Sequence, residues 1–485
     1  MPLKISSSLR RIALRMASLL VALLAGVFLS GMAQAQSGSV TTPVQRAVAG
    51  QTVILERFTP PPVTGAVDLA VVDQRAQIDM VAASKIRVRL QSLTVNGLRS
   101  ISADSLQPLW QDLIGTEVTL ADIYRIADAV DAAYLAAGYF SKTVVPVQEF
   151  STGRIRLQVY EGYVQRVEIN SDIPGIEGRL APYIDRILAM RPIRVKEAER
   201  ILLLMSDIGG LQIDGTFVRP DTPKGGGLLR LNIGQDRRSG MVGLDNLGSE
   251  SVGPLELALS YQMNDLFRRF ETTDLVGVTV PDDPEEMVFL QFSQDYPIGF
   301  DGLSAGYSVS YVRQHPGGSL ADDDIDVASV VGTAFLAYPF LRSEEQSLFG
   351  RAEVSVRNDD VDVGGTAVSQ ARTRWAEFSL QYDRAFDTGF LSTDAGLSLG
   401  TASDIDMGDV PGNFRFLTAG LDYIRPLGDV ADFRIRAVGQ YSSQALPGAV
   451  RFSVGGDPYG WAFDNGTISG DSGAATAVEL AHDFD

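Results

Sequence analysis

The feature that most constrains this chain is a period-two alternation running from Ser239 to the end. In 255–263 the apolar set is Leu255, Leu257, Leu259, Tyr261 and Met263, opposed by Glu256, Ala258, Ser260 and Gln262. In 303–311 Leu303, Ala305, Tyr307, Val309 and Tyr311 oppose Ser304, Gly306, Ser308 and Ser310. Segments of the same character lie near 328–338, 348–357, 374–384, 414–424, 431–441 and 475–484. Strict alternation predicts strands with two unlike faces, about twelve of them after residue 240. Turn-rich acidic stretches such as HPGGSLADDDID and SDIDMGDVPGN separate them. A soluble sandwich turns its apolar face inward, whereas an outer-membrane barrel turns it toward lipid and encloses a wet, polar lumen. The polar faces carry Arg351, Glu353, Arg357, Glu377, Asp383, Arg434 and Arg436 between small residues. Either architecture tolerates that, so periodicity alone leaves both open.

The N-terminus narrows the compartment. Lys4, Arg10, Arg11 and Arg15 precede an apolar run from Met16 to Leu29, and Ala33-Gln34-Ala35 supplies a small-residue cleavage site. This reads as a secretory signal over 1–35, with the mature protein starting at Gln36. The run is shorter than the roughly 20 residues a membrane helix needs, and no comparable run follows, so any span must be β. The chain has no cysteine, which removes disulfides, thiolate metal sites and thiol nucleophiles. A formal net charge of -19 argues against nucleic acid. With only His315 and His482, no histidine triad or three-histidine metal site can be built, and no enzyme activity is expected. Asp404, Asp406 and Asp409 look briefly like a calcium loop, but Gly408 stands where a ligand should be. Gly225 to Gly227 has neither the lysine nor the following helix of a phosphate loop. No cofactor is expected.

Between these ends the text changes period. Over 36–85 a short helix across 42–57 is expected, followed by Pro60-Pro61-Pro62 and a flexible tether. From Ile86 a strand ends in Asn96-Gly97; helices are predicted over 102–114 and from Thr119, which can cap with Asp122, to Gly138; two strands follow. The order repeats after residue 162, with helices over 179–190 and 195–206 and strands at LQIDGTFVRP and GGLLRLNIG. Two tandem α+β modules, 86–162 and 163–236, therefore precede the alternating region 237–485.

At this point the residues carry a resemblance. VNG, YLAAGYFSKTVVPVQ leading into GRIRLQVYEGYVQRVEI, and ILLLMSDIGGLQIDGTFVRP resemble the paired POTRA domains of two-partner secretion outer-membrane transporters. These form the haemolysin secretion/activation family. VGLDNLGSESVGPLELALSYQMNDLF resembles the family's first barrel hairpin, with Asp245, Asn246, Gly248, Ser249 and Gly253 matching its DN-x-GS pattern. QDYPIGFDGLSAGYSVSY resembles a later strand pair. The resemblance covers residue 86 to the end and implies tandem POTRA modules followed by an antiparallel transmembrane β-barrel, with the modules in the periplasm.

The stretch 451–473, RFSVGGDPYGWAFDNGTISGDSG, is too glycine-rich for a regular element yet carries Tyr459, Trp461 and Phe463 at two-residue intervals. The resemblance implies that this loop, with Gly455, Gly456, Gly460, Gly470 and Asp471, folds back into the barrel lumen. In the family its tip carries an arginine that pairs with an acidic residue on a later strand. Here Trp461 stands at that position, and an indole cannot make the bidentate contact. Trp461 is expected to pack against lumenal aromatics instead. The family also has strands beyond the one matching 475–484, including the one with the acidic partner, so a barrel incomplete at its C-terminus is expected.

The function implied is recognition of an unfolded exoprotein in the periplasm and its passage to the cell surface. Exposed sheet edges in the modules could capture an extended client by strand addition. The implied partners are that secreted polypeptide and the outer-membrane lipid and lipopolysaccharide, with the transporter a monomer. Two alternatives stay open: a scaffold that inserts other barrels into the membrane, and a non-transporting adhesin with a soluble β domain.

Overall fold

The computed structural model describes residues 39–40, 51, 54, 57, 67–72, 80–218, 226–249, 252–404, 412–428, 430–463 and 465–482. The expected signal segment 1–35, Asp406 and Asp409 lie outside the described residues. The chain divides into two compact units: one made of 64–207 and 211–235, the other of 1–63, 208–210 and 236–485.

In the first unit, the helix Leu120–Ala136 begins where Thr119 accepts from the Asp122 backbone N–H at 3.2 Å, while the Asp122 carboxylate accepts from Thr119 N–H at 2.8 Å. This reciprocal cap fixes the start of the helix. Its buried face, Ile123, Ile126, Val130 and Tyr134, packs on Ile155, Leu157 and Val159. These last belong to a sheet ordered Ser92–Asn96, Arg154–Glu161, Ser141–Val144. The helix expected over 102–114 is broken into Ala103–Leu106 and two short 3-10 turns, Gln107–Leu109 and Gln111–Leu113. Pro108 at the start of the first of these turns offers no N–H to continue a helix.

The second module of this unit repeats the plan with helices Ile176–Leu188 and Val195–Ser206 and strands Val164–Asn170, Leu211–Val218 and Gly227–Gln235. Leu180, Ile184 and Ile187 of one helix and Ile201 to Met205 of the other are buried. Its sheet has a fourth strand that the sequence reading placed in a tether: Val67–Val72 lies beside Leu211–Val218, giving the order 67–72, 211–218, 227–235, 164–170.

The second unit is built on a 12-stranded antiparallel sheet in which each strand pairs with its neighbour in sequence, from Arg238–Asp245 to Ala431–Tyr441 and then Gly473–His482. Among the described residues the first and last of these strands have one ladder neighbour each. Several strands outrun their sequence expectation: Ile325–Arg342, Gln346–Val363 and Thr366–Phe386 extend well beyond 328–338, 348–357 and 374–384. Charged residues at their ends, Asp360 and Arg384 among them, blur the alternation without breaking the ladder.

Burial decides between the two architectures. Leu259, Leu290, Val309, Val354 and Leu399 are exposed, while Gln291, Gln294, Ser329, Ser355 and Ser398 are buried. That inversion, repeated around the sheet, is the signature of a membrane barrel rather than a sandwich. A face of exposed leucine and valine would be penalised in water by roughly 25 cal/mol per Å² and is at home in lipid. No helix among the described residues is long and apolar enough to cross a membrane, which leaves the crossing to strands.

Candidate functional site

The polar face of the sheet is occupied by segments from two distant parts of the chain. Gln51, Ile54 and Arg57 are helical, and their side chains meet that face. They fall in the helix expected over 42–57, and Ile54 is 3% exposed, packed with Val276, Val278, Phe289 and Val312. Gln51 is fully buried, its amide nitrogen donating to the Val327 carbonyl at 2.8 Å. Ser329 Oγ bonds both Gln51 Oε1 and Asp359 Oδ1, and the Arg357 Nε–H donates to the same Asp359 oxygen at 2.7 Å. Arg357 and Asp359 are each 2% exposed. Charges so deeply buried persist only when paired and hydrogen-bonded, and here the ion pair also braces the seat of Gln51.

Arg57 closes the other end of this contact. Its Nη1 donates to Glu256 Oε2 at 2.6 Å and its Nη2 to Asp245 Oδ1 at 3.0 Å. Asp245 and Glu256 are direct partners in the first hairpin, so one guanidinium bridges a facing pair of carboxylates and offsets their repulsion.

The 245–253 motif builds the turn that presents those carboxylates. Leu247 N–H donates back to Asp245 Oδ1 at 3.0 Å, and Gly248 N–H donates to the Pro254 carbonyl at 3.2 Å. A Cβ on Gly248 would stand 2.0 Å from the Gly253 carbonyl oxygen, and Gly253 itself has φ of +87°. Both positions therefore require glycine, one for close approach and one for backbone conformation. Ser249 accepts the Val252 N–H through its backbone carbonyl at 3.2 Å. Asn246 lies in the same turn.

The loop 451–473 is ordered by its base. Asp471 Oδ1 accepts from Leu446 N–H at 2.8 Å and lies 3.3 Å from Arg451 Nε. Phe452–Val454 pairs with Ile468–Gly470, whose other side pairs with Ser39–Val40, making a three-stranded sheet. At the tip, Gly456 N–H is shared between the Gly460 and Phe463 carbonyls at 3.1 and 2.9 Å. The positive φ values of Gly455 at +134° and Gly456 at +79° allow that tight reversal.

The reversal sorts the aromatic trio. Tyr459 is half-buried, within electrostatic range of Arg436, Asp422, Asp394 and Arg434 on the barrel wall. Trp461 and Phe463 point away, 72% and 62% exposed. The expectation that Trp461 packs against lumenal aromatics is thus corrected: the turn closed by Gly460 and Phe463 carries the indole outward and leaves Tyr459 as the tip residue facing the wall. That wall is itself paired, Arg434 Nε with Asp422 Oδ1 at 2.9 Å and Arg436 with Glu479.

Known proteins bear on this geometry. Residues 88–162 match the ShlB-type POTRA domain, and residues 230–484 match the family described as haemolysin secretion/activation protein ShlB/FhaC/HecB. Among curated relatives, the outer membrane transporter CdiB of Dickeya dadantii is 24% identical over 74% of this chain and 66% of its own length. The heme/hemopexin transporter protein HuxB of Haemophilus influenzae is 21% identical over 56% of this chain and 48% of its own. The hemolysin transporter protein ShlB of Serratia marcescens is 22% identical over 82% and 72%. The chain thus spans less than two thirds of the first two relatives. Among solved structures, CdiB from Escherichia coli superposes with a TM-score of 0.67 at 17% identity, over 91% of this chain and 84% of that one. CdiB from Acinetobacter baumannii gives 0.55 at 16%, over 92% and 87%. These likenesses fix the fold as POTRA domains followed by an outer-membrane β-sheet of barrel type. With more than half of its length matched, the chain belongs to the haemolysin secretion/activation ShlB/FhaC/HecB family of two-partner secretion proteins of the outer membrane.

Proposed function

We propose that this chain takes an unfolded exoprotein in the periplasm through its POTRA modules and passes it along the barrel lumen to the cell surface. The single observation that carries this reading is the inverted burial of the sheet together with what fills its polar side. A helix anchored by Gln51 and Arg57 at either side of Ile54, and a loop held at Asp471, occupy the lumenal face, and their anchoring contacts are polar. Polar contacts can be exchanged for those of water or a passing polypeptide, whereas a sealed apolar core cannot. The relatives, a hemolysin transporter and a heme/hemopexin transporter, support a secreted protein as cargo. The apolar outer face meets lipid and lipopolysaccharide, and the transporter acts as a monomer. The reading assigns no catalysis.

The test is co-expression of the full-length protein with a partner exoprotein, in a host lacking both. Surface or medium delivery that depends on the transporter is the expected result. An exoprotein retained in the periplasm equally with and without it overturns the reading. Heat-modifiable migration in gels and recovery in the outer-membrane fraction separate a barrel from a soluble adhesin.

A further inference from the structure

The connection between the strands Glu256–Asn264 and Thr272–Thr279 is longer and more strained than closing a hairpin requires. Three of its residues that are not glycine, Asp265, Arg268 and Phe270, have φ of +59°. Left-handed backbone is costly for a side chain as bulky as phenylalanine, and it persists only where the surroundings over-determine it. Two carboxylates do so here. Asp265 Oδ1 accepts from Phe270 N–H at 2.8 Å. Glu271, fully buried, accepts from Phe267 N–H on one oxygen and from Arg269 N–H on the other at 3.0 Å. With the Glu271 oxygens committed to backbone, neither Arg268 nor Arg269 is held in an ion pair among the described residues. The turn therefore presents a fixed cluster: Leu266 and Phe267 are 52% and 58% exposed, and Arg268 and Arg269 are exposed beside them.

The position of the turn says what this cluster meets. The Asn264 backbone N–H donates to the Arg237 carbonyl at 2.9 Å and its side-chain amide to the Asp236 carbonyl at 2.8 Å. The turn thus lies at the end of the sheet where the chain arrives from the POTRA modules, which is the periplasmic end. Tyr261 and Leu275, an exposed pair on the lipid-facing side, lie only about 10 Å along the strands from the closing pair Asn264 and Thr272. That carries the turn just past the apolar band, to headgroup depth. Arg269 is within electrostatic range of Tyr296, whose hydroxyl shares Gln294 Oε1 with that of Tyr307, at 2.9 and 2.6 Å. Such half-apolar, hydrogen-bonded tyrosines mark a membrane interface.

We propose that Arg268 and Arg269 bind the phosphate of an anionic phospholipid in the periplasmic leaflet of the outer membrane, with Leu266 and Phe267 seated among its acyl chains. Guanidinium groups offer several donors to a phosphate, and apolar side chains next to cations suit the boundary between headgroup and hydrocarbon. Because the turn is rigid before the lipid arrives, little freedom is lost on contact. The site holds this edge of the sheet at a fixed depth in the bilayer. It needs no cargo and stands apart from the transport reading.

The absence of cysteine allows a single bimane label at Tyr261→Cys on the full chain, reconstituted in phosphatidylcholine vesicles. Quenching by nitroxide-labelled phosphatidylglycerol, measured against nitroxide-labelled phosphatidylcholine, should show a preference of about threefold or more at this position. A control label at the lipid-facing Leu399→Cys, on another strand, should show none. Arg268→Asn with Arg269→Gln should bring the ratio to about one while heat-modifiable migration is kept, since asparagine tolerates positive φ. Arg268→Lys with Arg269→Lys, which keeps the charge, should retain about twofold. Inorganic phosphate at equal ionic strength should leave the preference in place. Its loss under phosphate would assign the site to the free anion. An equal ratio in the unsubstituted chain, an unchanged ratio without the arginines, or no quenching by either lipid overturns the proposal. So does binding of a polyglutamate peptide through Arg268 and Arg269 in detergent with no lipid preference in vesicles, which would assign the cluster to an acidic polypeptide.

Discussion

Arg57 holds Glu256 at 2.6 Å, a contact between two residues 199 positions apart in the chain. Glu256 is 2% exposed and faces the partly exposed Asp245, so the guanidinium is what makes a buried carboxylate beside a second one tolerable. Arg57→Ala should therefore cost about 3 kcal/mol in the contact between the N-terminal helix and the sheet. In planar bilayers it should raise the open fraction of the pore. Glu256→Gln in the same background should recover part of the loss, because it removes the charge left unpaired. Unchanged conductance in Arg57→Ala would show that the helix is held elsewhere.

Tyr459 and Trp461 should respond oppositely to truncation. Tyr459 faces Arg434, Arg436, Asp394 and Asp422, whereas Trp461 is largely exposed. Tyr459→Ala should loosen the loop and increase its cleavage by added protease severalfold in intact outer membranes. Trp461→Ala should leave cleavage within about twofold, as surface changes away from buried contacts alter stability by roughly 0.5 kcal/mol or less. The reverse order would relocate the tip contact to the indole.

Gly248→Ala places a methyl 2.0 Å from the backbone carbonyl of Gly253. Because the obstructing atom is backbone, the hairpin turn must shift, at a cost of about 1–3 kcal/mol. The variant should show a lower temperature of heat-modifiability and less protein in the outer membrane. Gly243→Ala, whose added Cβ would meet only the Ala258 Cβ at 3.9 Å, is the control expected to behave normally.

Acid should weaken one identifiable helix. The hydrogen bonds from Thr119 N–H and Oγ, aided by Arg125, hold the Asp122 carboxyl below its ordinary value of 3.8. A depressed carboxyl contributes stability above its unfolded pKa and loses it as pH falls through the folded one. Hydrogen exchange across Leu120–Ala136 should therefore accelerate, relative to the rest of its module, as pH drops below about 4. Asp122→Asn should flatten that dependence, and Thr119→Ala should cost about 1 kcal/mol at neutral pH.

How much of this was legible depends on where each partner lies. The cap joins Thr119 to Asp122 three positions on, and the sequence displays it whole. Alternation at Leu259 and Tyr261 revealed strands but not which face is wet, since the same text serves a sandwich or a barrel until neighbours are known. The 245–253 pattern pointed to a first hairpin through its resemblance to the family. That Asp245 answers to Arg57 was invisible, because nothing in either residue's neighbourhood marks the other. Val67–Val72 has the composition of a strand but sits after three prolines, among residues that read as a tether. Its partner Leu211–Val218 lies in another module altogether. Trp461 misled for a local reason, as one turn of backbone at Gly456 decides which aromatic of an alternating trio meets the wall.

The seat of Gln51 also orders events in time. Its contacts with Val327 and Ser329 span 276 and 278 positions, so the residues that receive it leave the ribosome long after it does. Loop closure over such a distance gains nothing until the strands around Ser329 and Asp359 have paired. The segment born early is thus placed late. Its docking can follow only the pairing of Ile325–Arg342 with Gln346–Val363.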